Sequence, residues 1–175
     1  VPGHGERHAG AVGELEHAVD RGRHLDLDHL AAARLAGDGP GLAGARGVGH
    51  DAGDRVLKLV ADSLAKISDD RCHVARHGGE EFVVLFRDTP VAQAYAKLDQ
   101  LRESLAARRL VNRATEQPFG QITFSGGVAD AFAFADRRSA LKAADTALYR
   151  AKQNGRNRIE LATAEDGSVV EQAAA

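Results

Sequence analysis

Of the 175 residues only one is a cysteine, Cys72, so no disulfide framework can staple the chain, and its sequence suits a reducing compartment such as the cytoplasm. No apolar stretch approaches the roughly 20 residues of a membrane-spanning helix, and no signal peptide is visible, so neither a span nor an anchor is expected. Aromatics are scarce at 5%, lysine and arginine form no stripe interleaved with them, and the formal charge is −2. A nucleic-acid polymer is therefore a poor partner. Methionine is absent altogether, position 1 included, which leads us to expect a piece of a longer chain. The length is that of one ordinary domain, enough to bury a core without staples.

A further scarcity is local. Residues 1–47 use nine residue types (Val, Pro, Gly, His, Glu, Arg, Ala, Leu and Asp), and they hold ten of the nineteen glycines and five of the eight histidines. All nine types can be encoded by codons beginning with G or C, the bias that a GC-rich gene shows at that position when read one base out of register. The run LDLDHLAAARLAG is the only helix-like stretch here, and its flanks have neither period 2 nor period 3.6. Residues 1–47 are thus expected to be an irregular segment, either a frame-shifted translation or a flexible Gly/Ala-rich leader. The nine-type run continues to Leu57, so composition does not fix where the frame is restored.

From residue 48 the text has the periodicities of a folded domain, expected to span 48–162. Asp54 is a plausible N-cap for a helix with Val56, Val60, Leu64 and Ile67 on one face. HVAR and EFVVLF read as strands, and Gly78-Gly79 between them as the two central residues of a hairpin turn, both at positive φ. The unbroken run Phe82–Phe86 predicts a central strand covered on both faces. A helix follows Pro90 with Val91, Ala94, Tyr95, Leu98, Leu101 and Leu105 inward. QITFSGGVA reads as a strand whose Gly126 and Gly127 permit close backbone approach. Ser139–Gln153 is a third helix stopped by Asn154-Gly155, RNRIEL a last strand, and 163–175 a frayed tail. The fold class is an α/β (α+β) sandwich in which helices cover a central sheet.

Glu80 and Glu81 stand at the hairpin mouth beside bare glycines. That combination suits a ligand needing close backbone approach plus a hard cation, with Mg²⁺ and a nucleotide phosphate the common case. The plain alternative is a solvated hairpin with two surface glutamates. His77 reads as a hairpin side chain rather than a metal ligand, Cys72 as a buried strand residue, and Ser125 lacks the partners of a nucleophile.

Four stretches, GHDAGD (49–54), ARHGGEEF (75–82), ITFSGGVA (122–129) and ADTALYRAKQNGRNR (144–158), resemble in order and spacing the GGDEF domain of bacterial diguanylate cyclases, over about residues 48–161. The resemblance implies a mostly antiparallel sheet related to adenylyl cyclase and polymerase palm domains. It also implies a reaction joining two GTP into cyclic di-GMP with release of two pyrophosphates. Two domains would meet face to face as a homodimer, with Mg²⁺ or Mn²⁺ as cofactor and a sensor domain elsewhere in the protein. Gly78 and Gly79 would let the nucleotide approach, and Glu80 and Glu81 would hold the metal and help activate the ribose 3′-hydroxyl. Asp54 would accept from guanine, and Lys152 and Arg156 would hold the triphosphate. Local readings stay open beside these: Asp54 as N-cap, Lys152 and Arg156 as complements to a helix dipole. Asp145 and Tyr149 are expected to pack or solvate their helix.

Two departures stand out. The metal aspartate and the guanine-binding asparagine of the family fall on Gly37 and Ala45, so the chain is expected to lack a central strand and one metal ligand, and its activity is in question. The product-binding Arg-x-x-Asp of many members falls on Asp69 and Cys72, with Arg71 out of register, so no tight product inhibition is expected there. The alternatives to an enzyme are a degenerate GTP-binding regulatory domain and a non-catalytic interaction domain of similar fold; paired carboxylates at the turn argue against both.

Overall fold

The computed structural model describes residues 29–38, 50–67, 71–109, 111 and 120–167, with the side chains of its first helix described from Arg55 onward. In chain order come β1 (Leu30–Asp38), α1 (His50–Ile67), β2 (Cys72–Gly78), β3 (Glu81–Arg87), α2 (Val91–Ala106), β4 (Thr123–Asp130), a 3₁₀ turn (Ala131–Ala133), α3 (Arg137–Gln153), β5 (Ile159–Leu161) and a second 3₁₀ turn (Ala164–Gly167). The five-stranded sheet has the order β2-β3-β1-β4-β5. Every pairing is antiparallel except β4 with β5.

Periodicity explains the helices. In α2, Ala94, Leu98, Leu101 and Leu105 recur on one buried stripe, and Pro90, with its fixed φ, directly precedes the helix. In α3 the Asp136 carboxylate accepts from the Ser139 amide at 2.8 Å and starts the helix. At its other end Gly155 takes φ +105°, and the Arg156 amide donates to the Ala151 carbonyl at 3.0 Å, a Schellman closure.

Alternation along the strands then assigns the layers. Ala31, Ala33, Leu35, Phe82, Val84, Phe86, Phe124 and Val128 form one core with Val56, Val60 and Leu64 of α1 and Leu98, Leu101 and Leu105 of α2. Leu30, Ala32, Val83, Leu85 and Ala129 meet Ala140, Ala143 and Ala144 of α3 on the other face. A Cβ on Gly127 would collide with the Ala144 carbonyl and the Leu148 amide. The backbone that approaches this glycine is thus the protein's own helix, and the small alanines of α3 permit it.

Several expectations need correction. Where the structure describes it, the helix-like run is a strand: Leu30–Asp38 is the central strand, so the chain does not lack one. Alanine, leucine and arginine are good helix formers, but hydrogen bonding from β3 and β4 on both sides overrides that preference. Helix α1 begins at His50, which puts Asp54 inside the helix rather than at an N-cap. RNRIEL supplies only the three strand residues Ile159–Leu161, because Arg156 and Asn157 take left-handed φ of +58° and +45°. The first residues of the expected tail are packed: Arg150 pairs with Asp166 and donates to the Leu161 carbonyl at 2.7 Å, while Gly167 lies against Phe134. Residues 168–175, Ala45 and Asp69 lie outside the described residues.

Candidate functional site

The hairpin tip is displaced by one residue from the expected position. Gly78 pairs with Glu81 across the ladder, so Gly79 and Glu80 are the two turn residues. The cause is an irregularity at His77, where the register shifts between Arg76 and Gly78. Of the two glycines only Gly79 has positive φ, +51°. Arg76, which the sequence reading passed over, fixes this tip by donating from Nε (2.9 Å) and Nη2 (2.6 Å) to the Gly79 carbonyl. A Cβ at Gly78 or Gly79 would meet nothing within 4 Å, so the surface here is open to a ligand.

Topology gathers the other candidates at the same end of the sheet. Ala36 of β1 lies opposite Glu81, Asp38 lies opposite Thr123 of β4, and the Gly37 amide donates to the Glu80 carbonyl at 3.4 Å. The turn after α3 reaches this edge too: the Asn157 amide donates to Asp38 Oδ2 at 2.9 Å, beside the Ser125 hydroxyl at 2.6 Å. The turn that follows α3 thereby meets the end of β1, the strand next to β3; Lys152, in the last turn of α3, is half-buried, and Arg156, directly before Asn157, is exposed. Asp38 is only 5% exposed, and its Oδ1 has no hydrogen-bond partner among the described residues. Sequence reasoning missed it because its partners are 87 and 119 residues away.

Adjacent carboxylates serve opposite faces. Glu80 lines a small, mostly apolar pocket with Leu35, Gly37, Val60, Leu64, Phe82 and Phe124, on the side of α1. Glu81 lies on the α3 side, its Oε2 3.7 Å from Arg34 Nη2. Arg34, 13% exposed in the central strand, also donates from Nε to Asp145 Oδ1 at 3.0 Å. Asp145, with a side chain 53% exposed, is thus committed to an ion pair, and Tyr149 is 63% exposed. Gly37 offers no carboxylate on the Glu80 side, and Asp38 cannot replace one, because successive side chains on a strand point to opposite faces. Cys72 is buried at the start of β2, as expected of a strand residue.

The donor set sets a limit on cation binding. Among the described residues no three His, Cys, Asp or Glu side chains cluster. Mg²⁺ at nucleotide sites needs only one or two protein carboxylates, since phosphate oxygens and water complete its octahedron. Glu80, for which no ion pair is found among the described residues, meets that minimum; Glu81 is shared with Arg34. The residues thus fit a nucleotide-borne cation held by a single carboxylate. The side chain of Asp54 lies outside the described residues.

The family model described as "Diguanylate cyclase, GGDEF domain" matches residues 46–158, and the chain belongs to this family. Among curated proteins it is 36% identical over 114 residues to diguanylate cyclase A of Treponema denticola, covering 65% of this chain and 30% of that protein. It is 37% identical over 138 residues to diguanylate cyclase DgcP of Pseudomonas aeruginosa, covering 79% of this chain and 18% of that one. The chain spans less than a third of the length of these relatives. Among solved structures, the GGDEF domain of DgcB from Caulobacter crescentus in complex with c-di-GMP superposes with a TM-score of 0.77 at 30% identity, covering 87% of each chain. The active GGEEF domain of a Vibrio cholerae diguanylate cyclase gives 0.76 at 26% identity, covering 89% of this chain and 96% of that one. The α+β fold with its mostly antiparallel sheet is the fold of these domains. Among the described residues no helix is long and apolar enough to cross a membrane.

Proposed function

We propose that this chain is the nucleotide-condensing unit of a diguanylate cyclase, joining two GTP into cyclic di-GMP with release of two pyrophosphates. The observation that carries the reading is the gathering, at one end of the sheet, of an open acidic turn at Gly79-Glu80 and of the turn after α3 that carries Arg156 beside Asn157. Lys152 and Arg156 hold the triphosphate, Asp54 accepts from the guanine N1–H and N2–H, and Gly78 and Gly79 leave room for the nucleotide. Glu80 holds Mg²⁺ or Mn²⁺. That cation, when bound, neutralises charge developing on the phosphate oxygens. Glu81, with a side chain 39% exposed, is accessible to orient the ribose 3′-hydroxyl and take its proton. A new bond forms from that oxygen to the α-phosphorus of the other nucleotide as the bond to pyrophosphate breaks. Each domain binds one GTP, so a second copy facing the first is required, and the protein acts in the bacterial cytoplasm below a sensor domain.

A second reading, a GTP-binding regulator without turnover, is favoured by Gly37, which has no carboxylate, and by the ion pair that occupies Glu81. Pyrophosphate release from Mg·GTP separates the two. In the cyclase reading, Glu80→Ala and Glu81→Ala each lower turnover on the order of 100- to 1000-fold, the loss typical of one electrostatic contributor, with the melting temperature unchanged. Tight GTP binding with no release from the unsubstituted chain selects the regulator. The proposal that residues 1–47 are frame-shifted predicts faster turnover once the upstream frame is restored. Sequencing the DNA ahead of the Gly47 codon tests it directly.

A further inference from the structure

We infer that Arg102 is a positioning residue for nucleotide binding: by holding the side chain of Asn157 it fixes the turn that carries Arg156. The inference rests on the proposed role of Arg156 at the triphosphate.

The turn is conformationally demanding. Gly155, Arg156 and Asn157 take consecutive φ values of +105°, +58° and +45°. Glycine tolerates this region, whereas an L side chain disfavours it and persists there only where the surroundings over-determine the backbone. Three restraints act on backbone atoms: the Arg156 amide to the Ala151 carbonyl at 3.0 Å, the Asn157 amide to Asp38 Oδ2 at 2.9 Å, and the Gly126 amide to the Arg158 carbonyl at 2.9 Å. The fourth comes from α2, on the opposite face of the sheet from α3, where Arg102 Nη1 donates to Asn157 Oδ1 at 3.3 Å.

The guanidinium is itself immobilised. Its Nε donates to Asp99 Oδ1 at 2.6 Å and its Nη2 to Glu103 Oε1 at 3.3 Å, with the side chain 14% exposed. With two edges committed to α2, Nη1 is left for the turn, and the planar fork makes that direction rigid. Neither Arg102 nor Asn157 belongs to either hydrophobic core. Losing their contact therefore frees the turn while leaving the packing of the domain in place.

Calorimetric titration of the full chain with Mg²⁺ and 3′-deoxy-GTP, which has no hydroxyl with which to condense, reads binding without turnover. Arg156→Ala must weaken binding. Arg102→Met, which keeps the apolar stem and removes the fork, is expected to weaken it about five- to tenfold, as the loss of one such hydrogen bond gives. The double variant should be no weaker than Arg156→Ala alone, since both act through one contact. Hydrogen exchange at the Asn157 amide should quicken in Arg102→Met while helix amides keep their protection. Asn157→Gly relieves the backbone but deletes the acceptor, so it should match Arg102→Met and keeps the test valid should that variant misfold. Parent-like binding by Arg102→Met or by Asn157→Gly, or additive losses in the double variant, overturns the inference. Parent-like binding by Arg156→Ala instead removes the triphosphate role of Arg156, and this inference falls with it.

Discussion

Under α1 and α2 the sheet presents Phe82, Val84, Phe86, Phe124 and Val128, whereas under α3 it presents Leu30, Val83 and Leu85 interspersed with Ala32, Arg34, Gly127 and Ala129. The first face gains stability through buried area, at roughly 1.5–3 kcal/mol per large side chain. The second sets Leu30, Val83 and Leu85 beside small residues of β1 and β4, and over those small residues the helix backbone approaches a glycine and polar contacts cross the gap. Glu81 and Arg34 lie on this second face. The comparison teaches where chemistry can be afforded: the aromatic face is filled by large side chains, and the small residues of β1 and β4 on the other face leave room for ionised groups near the sheet's functional end.

Truncation on the aromatic face should have the largest effect. Phe86 is fully buried, and Phe86→Ala is expected to cost about 4 kcal/mol, measured as a lowered urea midpoint with unchanged slope. On the other face addition, not removal, is the damaging change. Gly127→Ala drives a methyl into the backbone of α3 and 2.9 Å from the Ala147 Cβ, and about 2 kcal/mol of destabilisation is expected from such overpacking. Should Gly127→Ala unfold like the parent, within about 0.5 kcal/mol, close helix approach would not be what distinguishes that face.

How much of this was legible in sequence divides along similar lines. The aromatic face was readable, because Phe82–Phe86 and the stripe of α2 carry their periodicity locally. The small-residue face was not. Strand β1 is rich in alanine and has no alternation, and only its two neighbours make it a strand. The hairpin tip moved one residue because of a bulge at His77, which no turn dipeptide announces. The left-handed Arg156 and Asn157 are set by contacts from α2, α3 and β1 rather than by glycine. Of the candidate site, residue types were legible from motif spacing, but the division of Glu80 and Glu81 between opposite faces required the register of the sheet.

The smallest effect concerns the edge of the α3 layer. Asp166 closes the segment after β5 onto α3 by accepting from Arg150 and, at 2.6 Å, from the Thr163 amide. Burial alone would raise its pKa, but the hydrogen bonds from Arg150 and Thr163 outweigh it and hold the carboxyl below its ordinary value. A carboxylate depressed in the folded state contributes stability that is present above the unfolded pKa of about 3.9 and lost as pH falls through the folded value. Asp166→Asn should therefore cost about 1 kcal/mol at neutral pH, the scale of one partly screened charged hydrogen bond. The gap between parent and variant should stay level from pH 7 to about 5 and close only below about pH 4. Urea unfolding of both proteins across that range measures it. A gap that widened in acid would mean that Asp166 is not held as the anion, and that Arg150 keeps the segment in place through the Leu161 carbonyl alone.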